Sequence, residues 1–348
     1  MGFATHCHIL LTPLVQAKEQ ESGYSAKGLK HLTGTGKVNP QLSFTRSEFI
    51  HELPKAQRGM SISGYQPKLQ MVVHDGEFAV VEHQGEYILK PSPAEFPHLA
   101  ENEHATMTLM ARLGFDVPPH GLVSFAPEHG EPHELAFVIR RFDRDIQTGS
   151  AIHQEQLDAA MNVGDKYGKT GSDGKQYVSY QQLAKFLTQH VNSNLAFKID
   201  LFRRIVYAYL LGNNDMHLRN FGLIHPRIGE PRLSPVYDFV SVAPYPSIFS
   251  SGFMALPLLA CEEGDRELAP GFKTAYGEYL GMDFRVLGLS IGLTEKLIVK
   301  LINDLQKESR IVEAVYRDSF MPAEAVDATM RCYRQRLDRL MRLDEAEI

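Results

Sequence analysis

Between residues 68 and 140 the chain carries short apolar runs of strand length. "KLQMVVH", "EFAVVEH" and "EYILKP" come first, separated by "DG" at 75–76 and "QG" at 84–85, which read as hairpin turns. They predict an antiparallel sheet. In "FPHLAENEHATMTLMARLG" the apolar spacing changes to that of a helix, with Leu99, Met107 and Met110 near one face and Gly114 as a C′ glycine. Two further strands, "LVSF" and "AFVIRRF", follow "VPPHG". Ahead of this block, residues 15–60 are polar and rich in Gly, Ser and Lys. They predict irregular structure with short helical turns such as "TRSEFIHEL".

From about residue 152 the pattern turns helical. "SYQQLAKFLTQHV" and "DLFRRIVYAYLLG" both have helical spacing. In the second, Leu201, Ile205 and Tyr209 form one row and Phe202, Val206 and Leu210 the next, which predicts a broadly buried helix. A polar loop, "NNDMHLRN", comes directly after it. "FGLI", a turn at "HPRIGEPRL" and a strand "PVYDFVSV" follow, and residues 282–348 are helix-rich. The expected class is α+β, with a mainly β lobe over 1–148 and a mainly α lobe over 149–348.

Composition narrows the function. The chain has 348 residues, 43% hydrophobic and 22% charged, enough for two cores. A net charge of −6 argues against a protein that grips DNA by itself. Three scattered cysteines, Cys7, Cys261 and Cys332, offer neither zinc-ligand spacing nor a disulfide framework and fit a reducing cytosol. The start lacks a basic n-region and a cleavage site, and no apolar run approaches membrane-spanning length, so a cytoplasmic protein without membrane contact is expected.

The polar loop holds the chemistry. Asp215 and Asn220 stand in D-x-x-x-x-N, the spacing with which protein kinases place a catalytic base and a metal-binding amide on one loop. Asp238 in "VYDFV" follows after one expected hairpin, and magnesium favours such a second carboxylate together with substrate phosphates. Lys90 ends an apolar strand, and the next helix offers Glu101 or Glu103 to orient it. Ser61, Ser63 and Gly64 lie in "GMSISGYQPKLQ", a small-residue stretch suited to lie over phosphates. "VIRRFDR" sits where a kinase linker would meet adenine. Each feature also has an ordinary reading: a capping turn, a strand-end Asp, a snorkelling Lys, a Gly/Ser turn, a surface ion-pair cluster. His217, near two carboxylates but without a second His at ligand spacing, reads as structural. What weighs against six coincidences is their order, which is that of a phosphoryl-transfer site.

The segments "SISGYQPKL", "YILKP", "ENEHA", "VIRRFDR", "GNNDMHLRNFGL" and "YDFVS" resemble the HipA-like serine/threonine kinases, toxins of bacterial toxin–antitoxin systems. The "ILLTPL" start and the shortness of the chain look most like the HipT branch, which lacks the full N-terminal subdomain. The resemblance implies a two-lobed kinase-like fold using ATP and Mg2+. It makes Asp215 the base, Asn220 and Asp238 metal ligands, and Lys68 and Lys90 phosphate contacts, with Glu103 positioning Lys90. Main-chain atoms at Arg140 and Phe142 would face adenine, and Ser61 and Ser63 would be autophosphorylated. It further implies three protein partners. They are an aminoacyl-tRNA synthetase, the tryptophanyl one in this branch, as substrate; a small HipS-like protein resembling the missing subdomain; and a helix-turn-helix HipB-like protein that makes the DNA contact. Two other readings stay open at this point: a small-molecule phosphotransferase on a kinase fold, and a non-catalytic member of a repressor complex.

Overall fold

In a computed structural model of the chain, the described residues are 4–51, 67–128, 134–145, 148–250 and 252–344. They divide into two compact units, residues 1–151 with 315–322, and residues 152–314 with 323–348. Chain order alone would assign 315–322 to the second half.

The first unit opens with three short helices, α1 (Ala17–Ser22), α2 (Ala26–Thr33) and α3 (Arg46–His51). A five-stranded sheet follows, made of β1 (Leu69–His74), β2 (Glu77–Val80), β3 (Tyr87–Pro91), β4 (His120–Ser124) and β5 (Leu135–Arg140), with α4 (Leu99–Arg112) between β3 and β4. Every pairing in it is antiparallel. The order, β2-β1-β3-β5-β4, corrects one expectation. "DG" is a tight hairpin turn, with Asp75 at φ 50° and Gly76 at φ 81°. "QG" is not, because β3 pairs with β1 and not with β2. The stretch from Val81 to Glu86 therefore crosses β1 at Gln70 and Met71, and Gly85 is needed there for space: a Cβ would lie 2.6 Å from Gln70 Cβ.

Both faces of this sheet are covered, which is why its strands read as nearly continuous apolar runs. Alternate residues Leu69, Met71, Tyr87, Leu89, Ala136 and Val138 join a core with Ile9, Leu29, Leu32, Leu42 and Phe49 from the N-terminal segment. The other alternation, which includes Lys90 and its cross-strand partner Phe137, belongs to the opposite face. α4 is buried over 100–110. The N-terminal segment also protects the β4 edge: Leu122 N–H donates to His8 O at 2.8 Å and Leu42 N–H to Ser124 O at 2.8 Å.

The second unit begins with β6 (His153–Gln156), which the sequence reading placed in helix. It pairs with β7 (Gly222–His225), which pairs with β8 (Arg232–Leu233). The helices are α5 (Leu157–Ala160), α6 (Tyr180–His190), α7 (Leu195–Leu210), α8 (Pro246–Phe249), α9 (Gly281–Ser290), α10 (Glu295–Arg317) and α11 (Ala323–Leu340). Both rows of α7 anticipated above are buried, and the helix starts on an Asn194 side-chain cap, 2.8 Å from Phe197 N. The expected "PVYDFVSV" strand is absent. Pairing stops at Leu233, and Asp238 takes φ 51°, a left-handed conformation that no strand contains. Among the described residues no helix is long and apolar enough to cross a membrane.

Candidate active site

In the first unit, strand β3 delivers Lys90 to a place where a lysine is rarely found. It is 4% exposed, and its Nζ donates to Glu103 Oε1 at 2.6 Å, on a carboxylate that is 1% exposed. The ammonium also lies 5.6 Å from the centre of the Phe137 ring. A snorkelling lysine would reach water; this one is held inside, and burial of two charges persists only with close pairing. Glu101, the other acid of "AENEHA", faces His98 at 3.2 Å. Lys68 is half-buried just before β1. Ser61, Ser63 and Gly64 lie outside the described residues.

At the end of β5 the polar side chains of "RRFDR" are organised. Arg141 donates to both oxygens of Asp143, at 2.9 and 2.6 Å, and Arg144 to Oδ2 at 3.1 Å. Burial pushes the Asp143 carboxyl up, but the two guanidinium groups outweigh it and hold it below its ordinary value. Arg140, Arg141 and Arg144 line a pocket of about 300 Å³ with Glu86, Asp145, Thr148 and Gly149. The main-chain N–H at Arg140 is engaged with Pro119 O at 2.8 Å, so a base contact at that residue would use the carbonyl. Phe142, two residues on, is half-buried.

In the second unit the loop after α7 is mostly buried, with Arg219 half-buried and Asp215 exposed. Asn213, Asn214, His217 and Asn220 are all buried, while the Asp215 carboxylate is 52% exposed. Its surroundings fix it. Asp215 N–H donates to Asn213 Oδ1 at 3.2 Å, and Asn220 Nδ2 donates back to Asp215 O at 2.9 Å. Tyr180 OH donates to Met216 O at 2.6 Å and Tyr237 OH to Arg219 O at 2.6 Å. Arg219 pairs with buried Asp158 at 2.8 Å. Tyr167 OH donates to Asp215 Oδ1 at 2.9 Å. His217 Nε2 is 3.9 Å from the same oxygen. Burial lowers the His217 pKa, with the charges of Asp215 and Asp238 opposing and that of Lys166 assisting. Asp215 lies beside His217, the negative charge of Asp238 is felt at the same imidazole, and Asn220 belongs to the same loop.

These donors suit magnesium. Asn220 donates its amide hydrogens to Asp215 O, and its oxygen accepts no hydrogen bond from a described residue. Asp238 adds a carboxylate. The described residues contain no cluster of three or more His, Cys, Asp or Glu able to hold a metal by themselves. A larger pocket in this unit, about 450 Å³ around Phe253, Leu256, Glu262 and Tyr279, contains none of the residues singled out from the sequence.

Sequence reasoning missed Asp158, Tyr167, Tyr180 and Tyr237. The last stands beside Asp238 and could have been noticed; the others lie far off in the chain with no motif of their own.

Residues 60–313 match the family described as the HipA-like C-terminal domain, and the chain belongs to that family. A Haemophilus influenzae protein provisionally named a kinase is 57% identical over 343 residues, 98% of this chain and 99% of its own length. The serine/threonine-protein kinase toxin HipA of Shewanella oneidensis is 28% identical over 74% of this chain and 56% of its own. A solved complex of Shewanella oneidensis HipA, HipB and operator DNA contains a chain matched with a TM-score of 0.60 at 23% identity, over 81% of this chain and 65% of that one. The fold is therefore the two-lobed kinase-like α+β fold of HipA, and the chain spans about three fifths of the HipA chains it matches.

Proposed function

We propose that the chain is an ATP-dependent protein serine/threonine kinase and the toxin of a toxin–antitoxin system. The observation that carries this reading is Asp215: the one exposed residue of a largely buried loop that is pinned by hydrogen bonds. A loop that only capped a helix would not need so many fixed contacts around a single solvent-exposed acid.

In this reading Asp215 takes the proton of the acceptor hydroxyl. Asn220 and Asp238 hold Mg2+, which when bound offsets charge on the ATP phosphates. In the first unit Lys90, oriented by Glu103, and Lys68 bind phosphate, while the chain at Arg140 and Phe142 meets adenine. Ser61, Ser63 and Gly64 belong to the phosphate loop. Phosphate on Ser61 or Ser63 would add about −1.5 to −2 charge where ATP phosphates bind, so autophosphorylation is read as an off-switch.

The finer assignments follow from the HipT resemblance: tryptophanyl-tRNA synthetase as substrate, and HipS-like and HipB-like proteins as partners, the latter making the DNA contact. The HipB–DNA assembly of the Shewanella relative supports the general scheme.

The test is γ-labelled ATP added with the purified chain to a dephosphorylated bacterial lysate. Label on protein Ser or Thr, lost with Asp215→Asn, is expected. Label confined to small molecules would move the reading to a small-molecule phosphotransferase. An absence of ATP turnover would leave a binding module.

A further inference from the structure

Asp215 is held partly from outside its own loop. Tyr167 lies in the connection between α5 and α6, within the polar stretch "GDKYGKTGSDGKQY" at 164–177. Its hydroxyl donates to Asp215 Oδ1 at 2.9 Å, and its ring meets His217 edge-on with 5.4 Å between centres. The connection is anchored on both sides of the tyrosine. Asp165 Oδ1 accepts the N–H groups of Tyr167 and Lys169, each at 2.9 Å. Lys166 O accepts the Leu218 N–H of the Asp215 loop at 3.0 Å. Gln176 Nε2 spans from Tyr167 O, at 3.0 Å, to Ala255 O, at 2.7 Å. The phenol is therefore aimed, not draped.

The two oxygens of Asp215 are thereby made different. Oδ1 accepts from Tyr167 and has His217 beside it; Oδ2 accepts no hydrogen bond from a described residue. An Asp carboxylate otherwise turns freely about its last torsion, and transfer chemistry loses rate quickly when a reacting group is misplaced.

We propose that Tyr167 is a positioning residue for phosphoryl transfer, holding Oδ1 so that Oδ2 is the oxygen that takes the acceptor's proton. The assignment rests on Asp215 being the base. In the step, the acceptor oxygen bonds to the γ-phosphorus and its proton passes to Oδ2. The bond from that phosphorus to the β–γ bridging oxygen breaks, and its electron pair leaves with ADP.

The experiment compares the full chain, Tyr167→Phe and Asp215→Asn for kcat, KM for ATP, thermal midpoint and hydrogen exchange over 164–177. Tyr167→Phe keeps the ring and removes one donor. The expected result is a kcat about tenfold lower, with KM for ATP, midpoint and loop exchange unchanged. Wild-type kcat in Tyr167→Phe beside a dead Asp215→Asn would overturn the positioning role and leave the base in place. Loss of kcat accompanied by a lower midpoint or faster exchange would overturn it in favour of a structural role. Full activity in Asp215→Asn would overturn the reading beneath it.

Discussion

Lys90 and Glu103 show what a single pair can impose. Each is nearly out of water, and the two groups lie 2.6 Å apart. Breaking a buried pair takes the close partner from the remaining charge, at a cost of about 3–5 kcal/mol, whereas replacing both by apolar groups is often tolerated. Glu103→Gln should therefore lower the unfolding free energy by about 3 kcal/mol in urea, with Lys90→Met plus Glu103→Leu recovering most of it. Equal stability of the Gln variant and the parent would contradict the pairing. Lys90 was legible because a lysine closing an apolar strand stands out. The residues alone left Glu101 and Glu103 as candidates and the resemblance chose Glu103; the structure places Glu103 on Lys90 and Glu101 on His98. Tyr167 was illegible, since its tie to Asp215 joins residues 48 positions apart through a loop without periodicity.

Elements repeat the lesson in another form. Alternation located β1 to β5 and helical spacing located α4, α6 and α7, because those signals are local. Pairing order is not local, so "QG" was mistaken for a hairpin turn. β6 is four residues of mostly polar sequence, "HQEQ", paired along β7, and a strand of that kind leaves no apolar alternation to read. Asp238 was placed at a strand end by its "VYDFV" surroundings, yet its backbone turns left-handed there. Two element-level substitutions follow. A Cβ at Gly281, the first residue of α9, would fall on Leu340 O and 2.9 Å from Arg342 O, both backbone atoms. Gly281→Ala should destabilise by about 1–3 kcal/mol through overpacking. Asn194→Ala, which removes the α7 cap, should cost about 1 kcal/mol. Urea unfolding of the two variants checks both, and no shift in either would mean that these contacts do not form.

At the scale of the whole molecule, folding encloses three histidines of the first unit in neutral form. Burial lowers His8 and His120 to about 4 and His104 to about 3. The unfolded chain takes up these protons near pH 6.5 and the folded one does not. Stability is thus fully present above that value. It should fall as pH drops from about 6.5 towards 4, by up to about 1.4 kcal/mol per pH unit for each group, and level off below their folded values. Thermal unfolding at a series of pH values between 7.5 and 4 tests this; a flat or rising midpoint on acidification would contradict it. The family and the kinase-like fold were also readable at this scale, because the motifs occur in one order along most of the chain.

The most direct measurement of the central claim is intact-mass spectrometry of the dephosphorylated chain after incubation with Mg-ATP, beside Asp215→Asn. The account predicts added mass in steps of about 80 Da, one phosphoryl group each, on the parent alone. Equal phosphorylation of the two chains would contradict the assignment of Asp215 as the base.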